Sequence, residues 1–177
     1  MTMLTSRLLL RNWVESDLTF LQKIRNDREL QALLLSTARG SSVSDVRQWI
    51  THRSDTLDKC ILVIHRLDIE SPIGYIQYKR EPDSTDGFRF GICLAWEHHS
   101  KGYGSELLKW LDQHLLNRYS ANKIVLYVEI ANHNAIALYE RSGFRHVGVM
   151  RRHKKVCDEW RDVVYMEKLL PKEAAAN

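Results

Sequence analysis

The chain has 177 residues, of which 44% are apolar and 27% charged, with a formal net charge of +4 and a pI of about 9.0. That length fits one domain with a full core, no stretch approaches the roughly 20 apolar residues of a membrane span, and the basic balance argues mildly against a polycationic substrate. The N-terminal apolar run, cut short by Arg11, is too brief for a signal peptide. Cys60, Cys93 and Cys157 are widely spaced with no C-x-x-C, and read as reduced thiols of a cytoplasmic protein.

Arg7-Leu8-Leu9-Leu10-Arg11 reads as a first strand. Ser16 or Asp17 can cap a helix that carries Leu18, Leu21 and Ile24 at helical spacing and breaks at Asn26-Asp27. Residues 28–35 read as a second short helix and 37–42 as a loop. Ser44 is the expected cap of a third helix, from Asp45 to about Arg53. Strands are expected over 60–65 and 73–79, a hairpin closed at 68–72, and again over 88–95 after the turn-rich segment 81–87. A helix over 102–117 places Gly104, Leu107, Leu108, Leu111 and Leu115 on one stripe. Residues 123–130 are nearly continuous apolar, as in a strand covered on both faces. Strand, helix and strand over 88–130 therefore make a βαβ unit with a right-handed crossover. Asn132 can cap a further helix, which Gly143 ends as a C′ residue. Two closing strands, 144–156 and 160–169, flank an expected Asp158-Glu159 turn. Residues 1–170 form one domain and 171–177 a frayed tail.

The segment 92–105, ICLAWEHHSKGYGS, organises the rest. A strand runs through a short turn into a helix N-terminus, where the first N–H groups have no intrahelical acceptor and the helix dipole favours an anion. Gly102 and Gly104 let a phosphate approach the backbone. The pattern suits a pyrophosphate.

His99-Ser100-Lys101-Gly102-Tyr103-Gly104 resembles the R/Q-x-x-G-x-G/A acetyl-CoA signature of the GNAT superfamily of N-acetyltransferases. About thirty residues on, Asn132-x-x-Ala135-x-x-x-Tyr139-x-x-x-Gly143-Phe144 resembles its second signature. The opening SRLLLRNWVESDL resembles the branch that holds ribosomal-protein N-terminal and spermidine acetyltransferases, and Ile24-Arg25-Asn26 before a leucine-rich helix resembles enzymes that acetylate amino sugars on nucleotide carriers. The resemblance implies an α/β (α+β) fold: a mixed, mostly antiparallel sheet with a central parallel βαβ unit and helices on both faces. It implies acetyl-CoA as cosubstrate, with its pyrophosphate on the N–H groups of Ser100, Lys101, Gly102, Tyr103, Gly104 and Ser105. His99 stands where the family has Arg or Gln. The pantetheine arm is expected along Ile92, Cys93 and Leu94, in a gap between two splayed parallel strands, with Asn132 bonding its amides. Tyr139 matches the family's general acid, which protonates or stabilises the thiolate that CoA leaves as; its bland alternative is a packing role on its helix.

The general base stays open among Glu129, Glu97, Asp83, Asp86 and a water chain, because Arg89 stands where some relatives carry an acid. Glu129 is the first candidate, three residues before Asn132. His114 is expected on the exposed face of its helix, and no metal-ligand spacing such as H-E-x-x-H is present, so no metal is expected. Cys93 is expected in the core rather than as a nucleophile. Arg25 and Arg28, on the two helices that wall the acceptor pocket in this family, are the candidate substrate contacts. The acceptor is expected to be a primary amine: an amino sugar on a nucleotide carrier, a protein N-terminus, or an amine antibiotic. A non-catalytic acyl-CoA sensor is the competing class. Arg151-Arg152-His153-Lys154-Lys155 reads either as a solvated hairpin or as a face toward an anionic ligand. No membrane partner is expected, nucleic acid is disfavoured for want of a reading motif, and a homodimer is allowed for.

Overall fold

Short apolar runs bounded by turn residues become strands here, and segments with helical spacing become helices. The computed structural model describes residues 2–54, 56 and 58–171. In chain order these are β1 (Thr2–Leu4), β2 (Leu8–Arg11), α1 (Leu18–Asn26), α2 (Arg28–Leu33), α3 (Val43–Thr51), β3 (Lys59–Arg66), β4 (Pro72–Arg80), β5 (Gly87–Leu94), α4 (Tyr103–Tyr119), β6 (Lys123–Glu129), α5 (His133–Arg141), β7 (Arg145–Val156) and β8 (Glu159–Leu169). The expected tail lies outside the described residues apart from Pro171.

The strands form one eight-stranded sheet in the order β1-β2-β3-β4-β5-β6-β8-β7. All neighbours are antiparallel except β5 and β6. This is the expected mixed sheet around one parallel βαβ crossover. The parallel pairing is short. It joins Gly87 to Lys123, Phe88 to Ile124 and Arg89 to Val125, and then stops. Both strands continue, β5 to Leu94 and β6 to Glu129. From Phe90 onward the β6-side edge of β5 is therefore unpaired, while its other edge stays bonded to β4 as far as Gly74–Leu94. At about 3.3 Å per residue the open edge from Phe90 to Leu94 is roughly 13 Å long.

The period-2 alternation puts a core on each side of the sheet. Cys60, Leu62, Ile64, Phe88, Phe90, Ile124 and Leu126 pack with Leu107, Leu108, Leu111 and Leu115 of α4. Ile61, Val63, Tyr75 and Cys93 pack with Leu18, Leu21 and Ile24 of α1 and with Val46 and Ile50 of α3. The 28–35 segment forms its helix over Arg28–Leu33, with Asp27 as its cap: the carboxylate accepts from the Leu30 N–H at 2.9 Å.

Four local expectations change. A strand, β1, precedes the predicted first one, with only three register pairs to β2; three residues are too few for periodicity to register. Ser42, not Ser44, caps α3. Its hydroxyl accepts from Asp45 N–H at 3.2 Å while the Asp45 carboxylate accepts from Ser42 N–H at 2.7 Å, a reciprocal capping box. The β7–β8 turn is Cys157–Asp158, at φ 48° and 66°, the left-handed pair that a two-residue hairpin needs. His114 is half-buried rather than exposed: its Nε2 lies 2.6 Å from the Tyr78 hydroxyl and its ring stacks on Trp110.

Candidate active site

The turn between β5 and α4 is held from three sides. His99 donates from Nε2 to the Leu94 carbonyl at 2.9 Å, and its ring lies against Trp96. The Trp96 indole N–H donates to Asp27 at 2.9 Å, tying this turn to the α1–α2 elbow. Ser100 and Gly102 have φ of 57° and 80°, and Gly102 is the residue before α4. The left-handed residues turn the chain sharply, so that the N–H groups of Tyr103, Gly104 and Ser105 open the helix without intrahelical acceptors. The first helical bond back into the turn is Glu106 N–H to the Gly102 carbonyl, at 3.3 Å.

Arg7 completes this cradle, a residue that sequence reasoning left in a strand. Its Nη1 donates to the Lys101 carbonyl at 3.0 Å, and its guanidinium lies over the Tyr103 ring at 4.6 Å. Glu106 fixes it there. That carboxylate accepts from the Thr5 hydroxyl at 2.5 Å, the Ser6 hydroxyl at 3.0 Å, Arg7 N–H at 2.8 Å and Arg7 Nε at 2.7 Å. Burial pushes the Glu106 pKa up, but these donors outweigh it and hold the carboxyl below the ordinary glutamate value. The contact spans about a hundred residues of sequence, so no local signal announces it.

Two glycines expected to serve phosphate approach divide the work. A Cβ on Gly102 would stand 3.4 Å from Arg7 Nη2, at the cradle. A Cβ on Gly104 would stand 2.7 Å from Leu138 Cδ2 of α5. Gly104 is therefore a close-packing residue between α4 and α5, and its bare face is turned toward α5. His99, the first signature residue, is bonded to the end of β5.

Ile92, Cys93 and Leu94 lie on the part of β5 whose β6-side edge is unpaired. The Cys93 side chain points to the α1–α3 side and is 2% exposed; burial pushes its thiol up to about 12, the profile of a core cysteine rather than of a nucleophile. Asn132 caps α5, its side-chain oxygen accepting from Ala135 N–H at 3.2 Å. The amide N–H₂ keeps its donors. Tyr139 projects from α5 onto the opposite, α4–α5 side. Its ring packs edge-on against Phe90 at 5.9 Å and Phe144 at 5.8 Å. Phe90 is the first residue past the last parallel pair, so Tyr139 stands at the vertex of the splay. Burial pushes its hydroxyl up to about 12, which keeps the proton on across any working pH. Gly143, at φ 90°, ends α5 as expected and lets Phe144 N–H return to the Tyr139 carbonyl at 3.0 Å.

Glu129 ends β6 on the other side of the sheet and accepts from Arg161 Nη1 at 3.1 Å. Asp83 and Glu97 are exposed and Asp86 is half-buried. Arg25 stacks over Trp49 at 4.1 Å, and burial draws its pKa down. Arg28 is exposed at the start of α2. The structure thus brings Arg25, Cys93 and Tyr75 to one side of the splay and Tyr139 to the other, with Arg28 apart from both.

A cradle of helix-terminal N–H groups, an unpaired strand edge leading from it, and a phenol at the inner end of that edge form one continuous track. The GNAT acetyltransferase domain model matches residues 7–145. The chain belongs to the GNAT acetyltransferase family. It is 33% identical over 79 residues to an N-alpha-acetyltransferase of Saccharolobus solfataricus, covering 44% of this chain and 47% of that one. It is 24% identical over 163 residues to the spermidine N(1)-acetyltransferase of Vibrio cholerae, covering 92% and 93%. The matched segment spans less than half the length of the archaeal relative and of the mycothiol acetyltransferases that also match. A crystal structure of the Vibrio cholerae spermidine N-acetyltransferase, in complex with CoA and spermine, superposes with a TM-score of 0.85 at 23% identity, covering 94% of this chain and 98% of that one. The GNAT fold is shared at full length. No helix among the described residues is long and apolar enough to cross a membrane.

Proposed function

We propose that this chain is an N-acetyltransferase that moves the acetyl group of acetyl-CoA directly to a primary amine. The observation that carries the reading is the splay of β5 from β6 at Phe90, which joins the α4 cradle to Tyr139. The pyrophosphate rests on the N–H groups of Tyr103, Gly104 and Ser105, beside Arg7 and Lys101. The arm runs inward along Ile92 and Cys93, with Asn132 donating to its amides. The thioester then lies at the Phe90 vertex. A neutral amine attacks the thioester carbon from the α1–α3 side, the C–N bond forms, and the C–S bond breaks. The electron pair leaves on sulfur, where the Tyr139 hydroxyl donates. The amine's proton passes to solvent, with Glu129 the first candidate acceptor on that side. No covalent enzyme intermediate is needed, and Cys93 is core. None of the three cysteines is in a disulfide, which fits a cytoplasmic setting.

Two acceptor classes are carried forward from the sequence: an amino sugar on a nucleotide carrier, and a protein N-terminus. The test is CoA thiol release from acetyl-CoA over amino sugars and their nucleotides, alanine- and serine-starting peptides, polyamines and aminoglycosides. Saturable acetyl-CoA binding with no thiol release from any of them would replace the enzyme reading with a sensor.

A further inference from the structure

On the α1–α3 side, directly beside the splay vertex, lies a cleft of about 420 Å³ lined by His52, Arg53, Lys59, Gln77, Lys79 and Arg89. Its cations come from four separate elements. Arg53 and His52 follow α3, Lys59 begins β3, and Lys79 and Arg89 face each other across β4 and β5. A fifth element adds to them: Lys154 of β7 acts electrostatically on Lys79, so one residue of the basic segment 151–155 lies near this rim. Among the described residues, the carboxylate that pairs with a lining cation is Glu81, 3.3 Å from Arg89. Among the described residues no carboxylate pairs with Arg53, Lys59, Lys79 or Lys154. Burial, with Arg89, Arg53 and Lys154, outweighs Glu81 and draws the Lys79 ammonium below the ordinary lysine value. Like charges gathered in a concave site repel one another, and an anion between them relieves that repulsion.

The cleft opens on the reacting centre. Arg89 makes the last parallel pair, and Phe90, which lines the cleft, packs its ring against Tyr139 at 5.9 Å on the α4–α5 face. Gly91, next along, has no side chain, and a Cβ there would stand 3.4 Å from Gln77 Nε2. Trp49 links the cleft to the acceptor wall, with Arg25 over its ring at 4.1 Å and Arg53 at 5.4 Å.

We propose that this cleft binds the phosphate or diphosphate of the acceptor, so that the enzyme acetylates a phosphorylated amine, of which an amino sugar on a nucleotide carrier is the fullest example. This rests on the acetyltransferase reading and decides between its acceptors. A protein N-terminus or a polyamine brings no anion to the cleft. Arg53, Lys79 and Arg89 supply the charge-assisted hydrogen bonds, Lys59 and Lys154 add field, and the amine faces the splay.

The test compares glucosamine, glucosamine 1-phosphate and UDP-glucosamine in thiol release, for the wild-type chain, Lys79→Gln, Arg53→Gln and the exposed control Lys109→Gln. The expected result is a kcat/KM that rises from the first acceptor to the phosphorylated pair. In Lys79→Gln and Arg53→Gln, KM for the phosphorylated acceptors rises about tenfold, the effect of one lost charged hydrogen bond, with the control unchanged and kcat unchanged on its alkaline plateau, where the bound amine is already neutral. Equal KM across the variants, or a preference for spermidine or for a serine-starting peptide, overturns the proposal. Uridine diphosphate binding is measured separately, with saturating CoA present to fill the α4 cradle. If no amine is turned over but uridine diphosphate binds and Lys79→Gln weakens it, the cleft assignment stands and the acetyltransferase reading falls. If uridine diphosphate does not bind, or duplex RNA binds in its place with the same dependence on Lys79, the cleft assignment falls.

Discussion

Replacing Tyr139 by Phe removes one hydroxyl and leaves the ring. The ring's contacts with Phe90 and Phe144 survive, and among the described residues the hydroxyl has no hydrogen-bond partner to strand, so stability should change by less than about 1 kcal/mol. The chemical effect is set by acidity. The hydroxyl titrates at about 12, whereas a free thiol titrates near 8.5. Full proton transfer from phenol to thiolate is then uphill by roughly 3.5 pK units, or about 5 kcal/mol. Tyr139 therefore acts chiefly as a hydrogen-bond donor to the developing thiolate, and solvent completes the protonation. Loss of such a donor in a dry site costs about 10²- to 10³-fold in kcat, or roughly 3–4 kcal/mol. Thiol release should fall by that amount in Tyr139→Phe, while the CoA dissociation constant by calorimetry stays within about twofold. The sign of the pKa shift adds a second check. A raised phenol pKa keeps the donating form present up to about 12, so no descending limb of the pH profile below pH 10 should belong to Tyr139. An equal loss of CoA affinity, or an alkaline limb near pH 8–9 that disappears in Tyr139→Phe, would refute the assignment.

Gly104→Ala drives a methyl into Leu138, the neighbour of Tyr139; we expect a loss of about 1–2 kcal/mol, read as a lower Tm, and a larger fall in kcat than in CoA affinity. Gly102→Ala places a side chain at φ 80°, which costs about 1–2 kcal/mol and should weaken CoA binding itself, so the two glycine variants should separate in calorimetry. Glu106→Gln removes the acceptor that holds Thr5, Ser6 and Arg7, with an expected cost of about 1–3 kcal/mol at pH 7. Because the folded pKa of Glu106 is depressed, its stabilisation is fully present above the unfolded carboxylate pKa and is lost as pH falls through the folded one. The Tm difference between wild type and Glu106→Gln should therefore shrink on acidification below about pH 4; a difference constant between pH 7 and pH 3 would argue against the clamp.

Much of this architecture was readable because it is local and periodic. The α4 stripe of Leu107, Leu108, Leu111 and Leu115 is buried as the spacing required, and the two-sided apolar run at Ile124, Val125 and Leu126 is covered on both faces. The N-cap at Asn132 and the C′ glycine at 143 are geometric demands that few residues meet. What could not be read was long-range. Nothing near Arg7 says that it reaches Lys101, and nothing near Gly104 distinguishes a phosphate from Leu138 as the neighbour its missing Cβ makes room for. His114 looked exposed because its helix face is polar in sequence, yet Tyr78 comes across to meet it. The basic cleft has no local signature at all, since its cations come singly from separated elements. Only the 151–155 run hinted at it, and its register against β8 shifts between Met150 and Lys154.

The position of the cleft also bears on the unassigned base. An amine acceptor must lose a proton before it attacks, and Glu129, the first candidate, already accepts a bond from Arg161. An acceptor phosphate held by Arg53, Lys79 and Arg89 puts its amine near the Phe90 vertex, in a field that is positive on balance. Like charge disfavours the ammonium form, so the bound amine's pKa falls relative to water. The phosphate's own charge offsets part of this, and the surplus of cations over Glu81 decides the sign. A site of this kind raises the fraction of neutral amine without a dedicated carboxylate, and Arg89, standing where the family resemblance implies an acid in some members, becomes consistent with turnover. The measurable consequence lies in the pH dependence of kcat, which reports the bound complex. Its acidic limb should fall below the free amine's pKa in the wild-type chain and move up toward it in Lys79→Gln. An acidic limb that is unmoved by Lys79→Gln and abolished by Glu129→Gln would return the role of base to the carboxylate.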